Sequence, residues 1–195
     1  MRKIILTIVL MALIWVGYLA WPLYDLYQLA VAVEQRDIAA VTNHVDFARL
    51  RATFTDQIVE AYLQKTGTRL SPLLQGAAFS IADPVVAKIV SGEALAEFLH
   101  VGWPVAVLPD RPPEAAGLSV EALGSLWALF AASDYGLGRF EVVIPVALAR
   151  DRAFALTFRL AQWHWRLTRV RLPDPLKALL ADEVIKAMRP HQPPP

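Results

Sequence analysis

An uncharged apolar segment at the N-terminus constrains the fold more than any other feature of the sequence. After Arg2 and Lys3, the 21 residues from Ile4 to Tyr24 include no charged side chain. A helix needs about 20 mostly apolar residues to cross the hydrocarbon core of a bilayer. We therefore interpret residues 1–22 as a transmembrane anchor.

A cleaved signal peptide is the alternative interpretation of the same segment. Signal peptides have an apolar core of about 7–15 residues, followed by small residues at positions −3 and −1 before the cleavage site. The run here is longer, and cleavage after Ala20 would put Tyr18 at position −3. Both features favour a retained anchor, and a buried helix of a soluble domain is the least favoured interpretation.

The charges that flank the segment predict its orientation. Arg2 and Lys3 precede it, whereas the first basic residue after it is Arg36. Because basic flanks stay in the cytoplasm, we expect the N-terminus inside and the rest of the chain outside. Aromatic residues, which prefer the headgroup level, crowd the outer end of the segment: Trp15, Tyr18, Trp21, Tyr24 and Tyr27.

The composition of the whole chain excludes several classes of protein. Hydrophobic residues make up 56% and charged residues 19% of the 195 residues, and the formal net charge is +1. These values exclude a disordered chain and give no support for nucleic-acid binding. The absence of cysteine excludes disulfides, thiolate metal sites and cysteine nucleophiles. No cofactor motif is present and the four histidines are not at ligand spacing, so we expect neither a cofactor nor a metal.

Apolar residues at spacings of three and four predict that the first part of the remaining chain is helical. Asp37 and Asp46 are expected to cap two helices by accepting a backbone amide hydrogen, and Gly67 is expected to end the second of them. A proline-rich loop is expected over residues 104–113. The predicted helices cover residues 23–35, 38–42, 47–65, 73–78, 83–99, 118–132 and 176–188, with Asp83, Ser119 and Asp174 as further caps.

The apolar pattern changes to every second residue near Gly136. Alternation over residues 140–148 and 154–160 predicts an antiparallel hairpin with one buried face. Pro145 cannot donate to a strand ladder, so we expect its strand to be an edge or to contain a bulge. A third strand is predicted over residues 164–172.

Together these elements predict an α+β fold. An N-terminal transmembrane helix is followed by a helical layer packed on a C-terminal antiparallel sheet of three or four strands. Residues 23–190 would form a single domain, and residues 191–195 a disordered, proline-rich tail. The order of elements is also similar to that of the cone-shaped folds related to nuclear transport factor 2, a likeness of architecture that implies no function.

Arginines concentrate in the predicted sheet, whereas the helical part is net acidic. Seven arginines lie between residues 139 and 171, against Glu141 and Asp151. Two interpretations are open: pairing of the sheet with the helices, which we favour, and an anion-binding face. Arg166 and Arg169 have opposite parity, so a strand without a bulge cannot present both on one side. The candidate anion-binding residues are Arg159, Arg166 and Arg169.

Two further groups of residues are candidates for a site. Trp163 and Trp165 could stack on a ring or a sugar if they share a strand face, although core packing is the more frequent role of such a pair. Asp46 is the best functional carboxylate, and capping alone accounts for it. An ion pair of Asp46 with Arg49 or Arg51 would also fasten the start of its helix to the sheet.

Several stretches resemble a bacterial family of membrane-anchored proteins with no assigned activity, domain of unknown function family 2939. They are Tyr24-Asp25-Leu26-Tyr27-Gln28-Leu29, Ala32-Val33, Arg36-Asp37 and Val45-Asp46-Phe47-Ala48-Arg49-Leu50-Arg51, with the strand pair at residues 154–160 and 165–173. The likeness covers nearly the whole chain and implies an envelope location and a shared fold. Ala48 stands where proline is common, and Arg169 where an acid is common. The resemblance supplies no catalytic residue, so Asp37, Val45, Asp46, Phe47, Arg49 and Arg51 are interpreted as structural.

The expected function is a membrane-anchored, non-catalytic binding or interaction module on the periplasmic face of a bacterial cytoplasmic membrane. Its partner would be another envelope protein, an anionic lipid or an anionic polymer. Two alternatives stay open: a small hydrolase or isomerase that uses a cone-shaped pocket, and a structural or assembly factor of the envelope. An enzyme requires an acid–base group within hydrogen-bond reach of a pocket interior, whereas a binding module requires only a suitable surface.

Overall fold

The apolar N-terminal segment is the first part of one continuous helix, α1 (Arg2–Glu34). The structure is a computed structural model, and it describes residues 2–67, 82–113, 115–145 and 153–188. Residues 2–17 are exposed, and α1 is long and apolar enough to span a membrane. Its second half is buried in the domain, where Leu26, Leu29 and Val33 have no exposed surface. The predicted helix at residues 23–35 is therefore confirmed as the second part of α1, with Pro22 inside the helix.

Seven further helices surround the core of the described residues. They are α2 (Ile38–Asn43), α3 (Phe47–Thr66), α4 (residues 82–89), α5 (Gly92–Val101), α6 (Val120–Leu123), α7 (Leu126–Ala131) and α8 (Asp174–Met188). The predicted helix at residues 73–78, the end of the predicted strand at residues 146–148 and the tail at residues 191–195 lie outside the described residues.

The predicted caps of α2, α3 and α6 are confirmed. The side chain of Asp37 accepts from the amide of Ala40, and that of Asp46 accepts from the amide of Arg49. Gly67 ends α3 in the left-handed conformation, with φ of 64°. These contacts satisfy backbone groups that a helix end leaves without an intrahelical partner.

Two predicted helices are each divided in the structure. The prediction for residues 83–99 is wrong because Ser91 accepts from the amide of Ala94 and starts α5 after a break. The prediction for residues 118–132 is wrong for the same reason, since Ser125 caps α7. Serine oxygens compete locally for backbone amides, which favours a new helix start over continuation.

Two predicted caps have other roles. Asp83 lies within α4, and its carboxylate binds the guanidinium of Arg51 through bonds of 2.9 and 2.7 Å. Asp174 is the first residue of α8 rather than its cap, and it forms an ion pair with Lys177.

The C-terminal part forms a four-stranded antiparallel sheet in the order β1-β2-β3-β4. The strands are β1 (Ser133–Gly136), β2 (Arg139–Ile144), β3 (Phe154–Ala161) and β4 (His164–Arg171). The predicted α+β class is confirmed, and the likeness to nuclear transport factor 2 stays a prediction. The expectation that Pro145 marks an edge or bulged strand is wrong, because β2 lies between β1 and β3 and Pro145 follows its last residue.

One face of the sheet packs against the helices. Phe140 and Phe158 are partners across β2 and β3, and both are fully buried on this face. The side chain of Gln57 fastens α3 to the end of β4, because its amide donates to the carbonyl of Val170 and accepts from the amide of Leu172, both at 2.9 Å. The opposite face carries the polar residues of the strands.

Candidate functional site

A bulge in the sheet decides which arginines share a face. Thr157 pairs with Arg169, but Phe158 pairs with Leu167, so β4 contains one residue more than β3 at this point. The extra residue is Thr168, whose hydroxyl donates to the carbonyl of Thr157 at 3.1 Å. The bulge reverses the parity of β4 and brings Arg169 to the same side as Arg166.

Five arginines of the described residues therefore lie on the outer face of the sheet. Arg159 is the partner of Arg139 on one side and of Arg166 on the other, which gives a row across three strands. Neighbouring strands are about 4.8 Å apart, and directly paired residues point to the same face. We call this surface the arginine face, and it consists of Arg139, Arg159, Arg166, Arg169 and Arg171.

Glu141, on β2, is the carboxylate that contacts arginines of this face, and its partner on β1 is Asp134. Glu141 accepts a 2.6 Å hydrogen bond from Arg139 and another from Arg171, and Thr157 donates to it at 3.3 Å. Burial alone would raise the pKa of the Glu141 carboxyl, but the hydrogen bond from Arg139 and the charges of Arg171 and Arg139 outweigh it and hold the pKa below its ordinary value. Glu141 is thus ionised at neutral pH and orients two of the five guanidinium groups.

Replacing Glu141 with glutamine should destabilise the fold by about 1 kcal/mol at neutral pH, the upper value for a partly exposed ion pair. Because the pKa of Glu141 is lower in the folded than in the unfolded chain, its contribution is complete above the unfolded value of about 4.3 and is lost as the pH falls through the folded value. Denaturation of the wild type and E141Q at pH 7 and pH 3 should therefore show a difference in stability that is smaller in acid. E60Q, on α3, controls for the loss of one charge, and a difference for E141Q that is larger in acid would contradict the assignment.

The favoured pairing of sheet arginines with helix acids is wrong for Arg139 and Arg171, since both pair with Glu141 of the same sheet. Within the described ranges, no carboxylate lies at ion-pair distance from Arg159, Arg166 or Arg169. Arg159 and Arg169 are exposed, and Arg166 is half-buried. The acids of the helices are used instead between helices, for example in the 2.5 Å pair of Lys65 with Asp182.

The two tryptophans do not share a strand face. Trp163 lies in the β3–β4 turn with φ of 64°, and its indole stacks on that of Trp21 with the ring centroids 6.2 Å apart. Trp165 is 1% exposed and belongs to the core. The expected pair of stacking rings is therefore absent, because the turn separates the environments of the two side chains.

The residues of the family-like stretch around Val45 join α3 to β4. Val45 forms a parallel bridge with Leu167, whose carbonyl accepts from the amide of Asp46 at 2.9 Å. Asp46 also lies 3.4 Å from Arg49, an ion pair within one helix turn. The start of α3 is thus fastened to the sheet by backbone hydrogen bonds rather than by an ion pair. Phe47 is half-buried beside them.

Sequence reasoning missed the contacts that α1 makes with the ends of the sheet. The buried carboxylate of Asp25 accepts from the amide of Trp165 at 3.0 Å. The hydroxyl of Tyr18 accepts from the amide of Gly138 at 3.1 Å and donates to the carbonyl of Gly136. The position of Asp25 directly after a long apolar run was the available signal for its contact with Trp165. Nothing in the sequence indicated the contacts of Tyr18.

The interior offers little space for chemistry. A cavity of about 20 Å³ lies between α5 and the sheet, and only apolar side chains and backbone line it, among them Phe98, Ile144 and Leu156. That volume holds about one water molecule. In the part of the chain that the structure describes, no group of three or more acidic or histidine side chains could hold a metal ion.

Comparison with models of protein families gives a match to part of the chain. Residues 11–98 match a family model described as protein of unknown function (DUF2939). The predicted resemblance to this family is confirmed over those residues, and the match ends before the strand pair to which the prediction extended it. No curated protein and no solved structure matches the chain.

Proposed function

We propose that the protein is a single-pass, membrane-anchored binding module without catalytic activity, and that the arginine face is its binding surface for polyvalent anions. In this proposal the N-terminus lies in the cytoplasm, and the folded domain lies on the periplasmic side of a bacterial cytoplasmic membrane. The observation that carries the proposal is the alignment, among the described residues, of five arginines with two carboxylates, Glu141 and Asp134, on one face of the sheet.

The anchor and its orientation are supported by α1 and its flanks. Residues 2–17 project from the domain with exposed apolar side chains, which are unfavourable in water and favourable in lipid. Arg2 and Lys3 are the basic residues nearest the span, which favours a cytoplasmic N-terminus. The match to a family of unknown function adds no activity to these features.

The charge balance of the arginine face supports an anionic ligand. Two of its guanidinium groups form ion pairs with Glu141. Of the other three arginines, two are exposed and one is half-buried, and none has a carboxylate of the described residues at ion-pair distance. Unpaired guanidinium groups at strand spacing suit phosphate or carboxylate groups, to which arginine binds through two parallel hydrogen bonds. The face would therefore bind a chain or surface that carries several such groups better than a single ion.

The small apolar cavity supports a binding module over the pocket enzyme. A hydrolase or isomerase needs an acid or base within hydrogen-bond reach of a bound substrate. The enclosed cavity described above is too small for a substrate, and it presents no titratable side chain. The larger pockets are open to the surface, and one of about 570 Å³ between α3 and α8 has Glu60, Lys65 and Lys177 in its walls. Binding at the surface of the domain is therefore favoured over catalysis in a pocket.

Anion binding can be tested with the full chain in phosphatidylcholine nanodiscs, titrated with inorganic polyphosphate. We expect the variant R159Q/R166Q/R169Q to bind at least tenfold more weakly, since each basic residue contributes about 1 kcal/mol at such a surface. The control variant R36Q/K88Q/K186Q removes three charges from elsewhere and should bind like the wild type. Binding should also weaken as salt is raised from 50 to 300 mM. Equal binding by the two variants would refute the arginine face.

Orientation is tested separately by a reporter fused after Pro195. A reporter enzyme that is active only outside the cytoplasm should be active in this fusion. Activity of a cytoplasm-only reporter at the same position would overturn the proposed orientation and leave the anion-binding result unaffected.

A further inference from the structure

We infer that the folded domain is partly immersed in the outer interface of the bilayer that holds α1, through an apolar rim of Leu126, Trp127, Phe130, Leu137 and Trp163. The inference rests on the proposed membrane anchor and goes beyond it. It assigns a second membrane contact to the domain itself, made by side chains that are far apart in the sequence.

The free part of α1 is too short to cross the bilayer alone. Residues 2–17 are exposed, and the domain packs on the helix from Tyr18 onwards. The apolar residues from Ile4 to Gly17 extend about 21 Å at 1.5 Å per residue, against a hydrocarbon core of about 30 Å. About six more residues are needed, and these are residues that the domain already contacts.

Two turns of the sheet contact α1 within these six residues, which complete the length needed to cross the bilayer. Gly136 and Gly138, on either side of the β1–β2 turn residue Leu137, are hydrogen-bonded to the hydroxyl of Tyr18. Trp163 in the β3–β4 turn stacks on Trp21. Since a span that starts at Ile4 reaches the far side of the core only near Leu23, the contacts at Tyr18 and Trp21 place both turns in the outermost part of the core, just below the interface rather than above it.

The side chains at this depth are those expected at a bilayer interface. Leu137 is fully exposed, and Trp127, Leu126 and Trp163 are 80%, 77% and 76% exposed. Soluble surfaces rarely expose apolar side chains of this size together, and tryptophan is enriched where lipid meets water. Leu126, Trp127 and Phe130, the remaining part of the rim, lie on α7 across a groove from α1.

A groove between α1 and the α6–α7 pair continues the rim. Its volume is about 700 Å³, and its walls are almost entirely apolar, with Ala20, Leu23, Tyr24 and Trp127 among them. Trp127 stacks on Phe130 at 6.2 Å, which holds both rings at the edge of the groove. The α1 wall is formed by the last residues of the apolar span, so lipid is the occupant that the position of the groove favours.

The charges near the rim agree with this depth. Arg139 directly follows the β1–β2 turn, and its paired residues Arg159 and Arg166 lie at the same end of the sheet. Arginine side chains near an interface extend toward the headgroup phosphates while their stems stay on apolar surface. The apolar rim is thus followed by a row of arginines, just as the hydrocarbon core of a bilayer is followed by its charged headgroups.

Spin labels at single cysteines test the inference, because the chain has no cysteine of its own. Full-length variants W127C, L137C and W163C are labelled with a nitroxide in phosphatidylcholine nanodiscs. Collision rates with oxygen, which concentrates in lipid, and with a water-soluble nickel chelate are then compared. Q64C, exposed on α3, is the water control, and L10C, exposed on α1, is the lipid control.

We expect the three rim labels to show an oxygen-to-nickel ratio several-fold above that of Q64C and closer to that of L10C. If L10C reports lipid while the rim labels match Q64C, the rim inference is overturned and the anchor stands. If L10C reports water, the proposed anchor itself fails. Rim labels that are shielded from both reagents, with spin–spin broadening between copies, would show that a second copy of the chain covers the rim and would also overturn the inference.

Discussion

Replacing Trp165 with alanine should destabilise the folded domain by about 3–5 kcal/mol, the cost of removing a large buried ring. Trp165 is among the largest fully buried side chains, and its ring lies 6.4 Å from that of Tyr18. Its loss would leave a cavity where β4 meets α1. Chemical denaturation of the full chain in detergent micelles, followed by circular dichroism, measures the effect.

Trp163 provides a matched control two residues away. Because it lies in a turn and is 76% exposed, W163A should cost only the stack on Trp21, about 1 kcal/mol. W165F should be milder than W165A, since it keeps a ring in the core and removes an indole N–H that has no partner among the described residues. Equal effects of W163A and W165A would contradict the assignment of Trp165 to the core.

Replacing Gly102 with alanine should destabilise the domain by about 3 kcal/mol or more, because two penalties coincide. Gly102 ends α5 with φ of 71°, a conformation that alanine adopts with strain. A Cβ at this position would also lie closer than 3.0 Å to the backbone carbonyl of Ala116. A backbone atom cannot rotate away as a side chain can, so the loop after α5 would have to move.

Replacing Gly67 with alanine measures the left-handed strain without the overlap. Gly67 ends α3 with a similar φ of 64°, but no atom of the described residues lies within 4 Å of a Cβ built there. We expect G67A to cost only the left-handed strain, about 1–2 kcal/mol. The same denaturation experiment compares the two variants, and equal costs would show that the overlap with Ala116 is relieved at no cost.

Local features of the sequence were sufficient for three of the predicted caps and for β2, β3 and β4. Asp37, Asp46 and Ser119 cap their helices as predicted because a cap is a contact between a side chain and a backbone amide three residues away. The alternation that predicted β2 and β3 depends in the same way on neighbouring residues. The helix predicted over residues 83–99 is divided at Ser91, and the preference of serine for a helix start was the local signal for this division.

The candidate site depended on contacts that a linear pattern does not contain. Parity alone placed Arg166 and Arg169 on opposite faces, and the bulge at Thr168 places them on one. A bulge is needed to bring them to one face, and its position follows from the register between β3 and β4. The predicted pairing with helix acids was wrong for the same reason, since Glu141 is brought between Arg139 and Arg171 by strand pairing.

By itself, the sequence determined the apolar span, the basic residues before it and the order of helices and strands, because these depend on composition and on spacings of a few residues. Only the tertiary structure decided which surface carries the arginines and how deep the domain reaches along α1. Both depend on contacts between distant segments, such as Tyr18 with Gly138 and Asp25 with Trp165. Such contacts form only after the chain has folded, when the burial of side chains from many elements selects one register and one packing of α1 against the sheet.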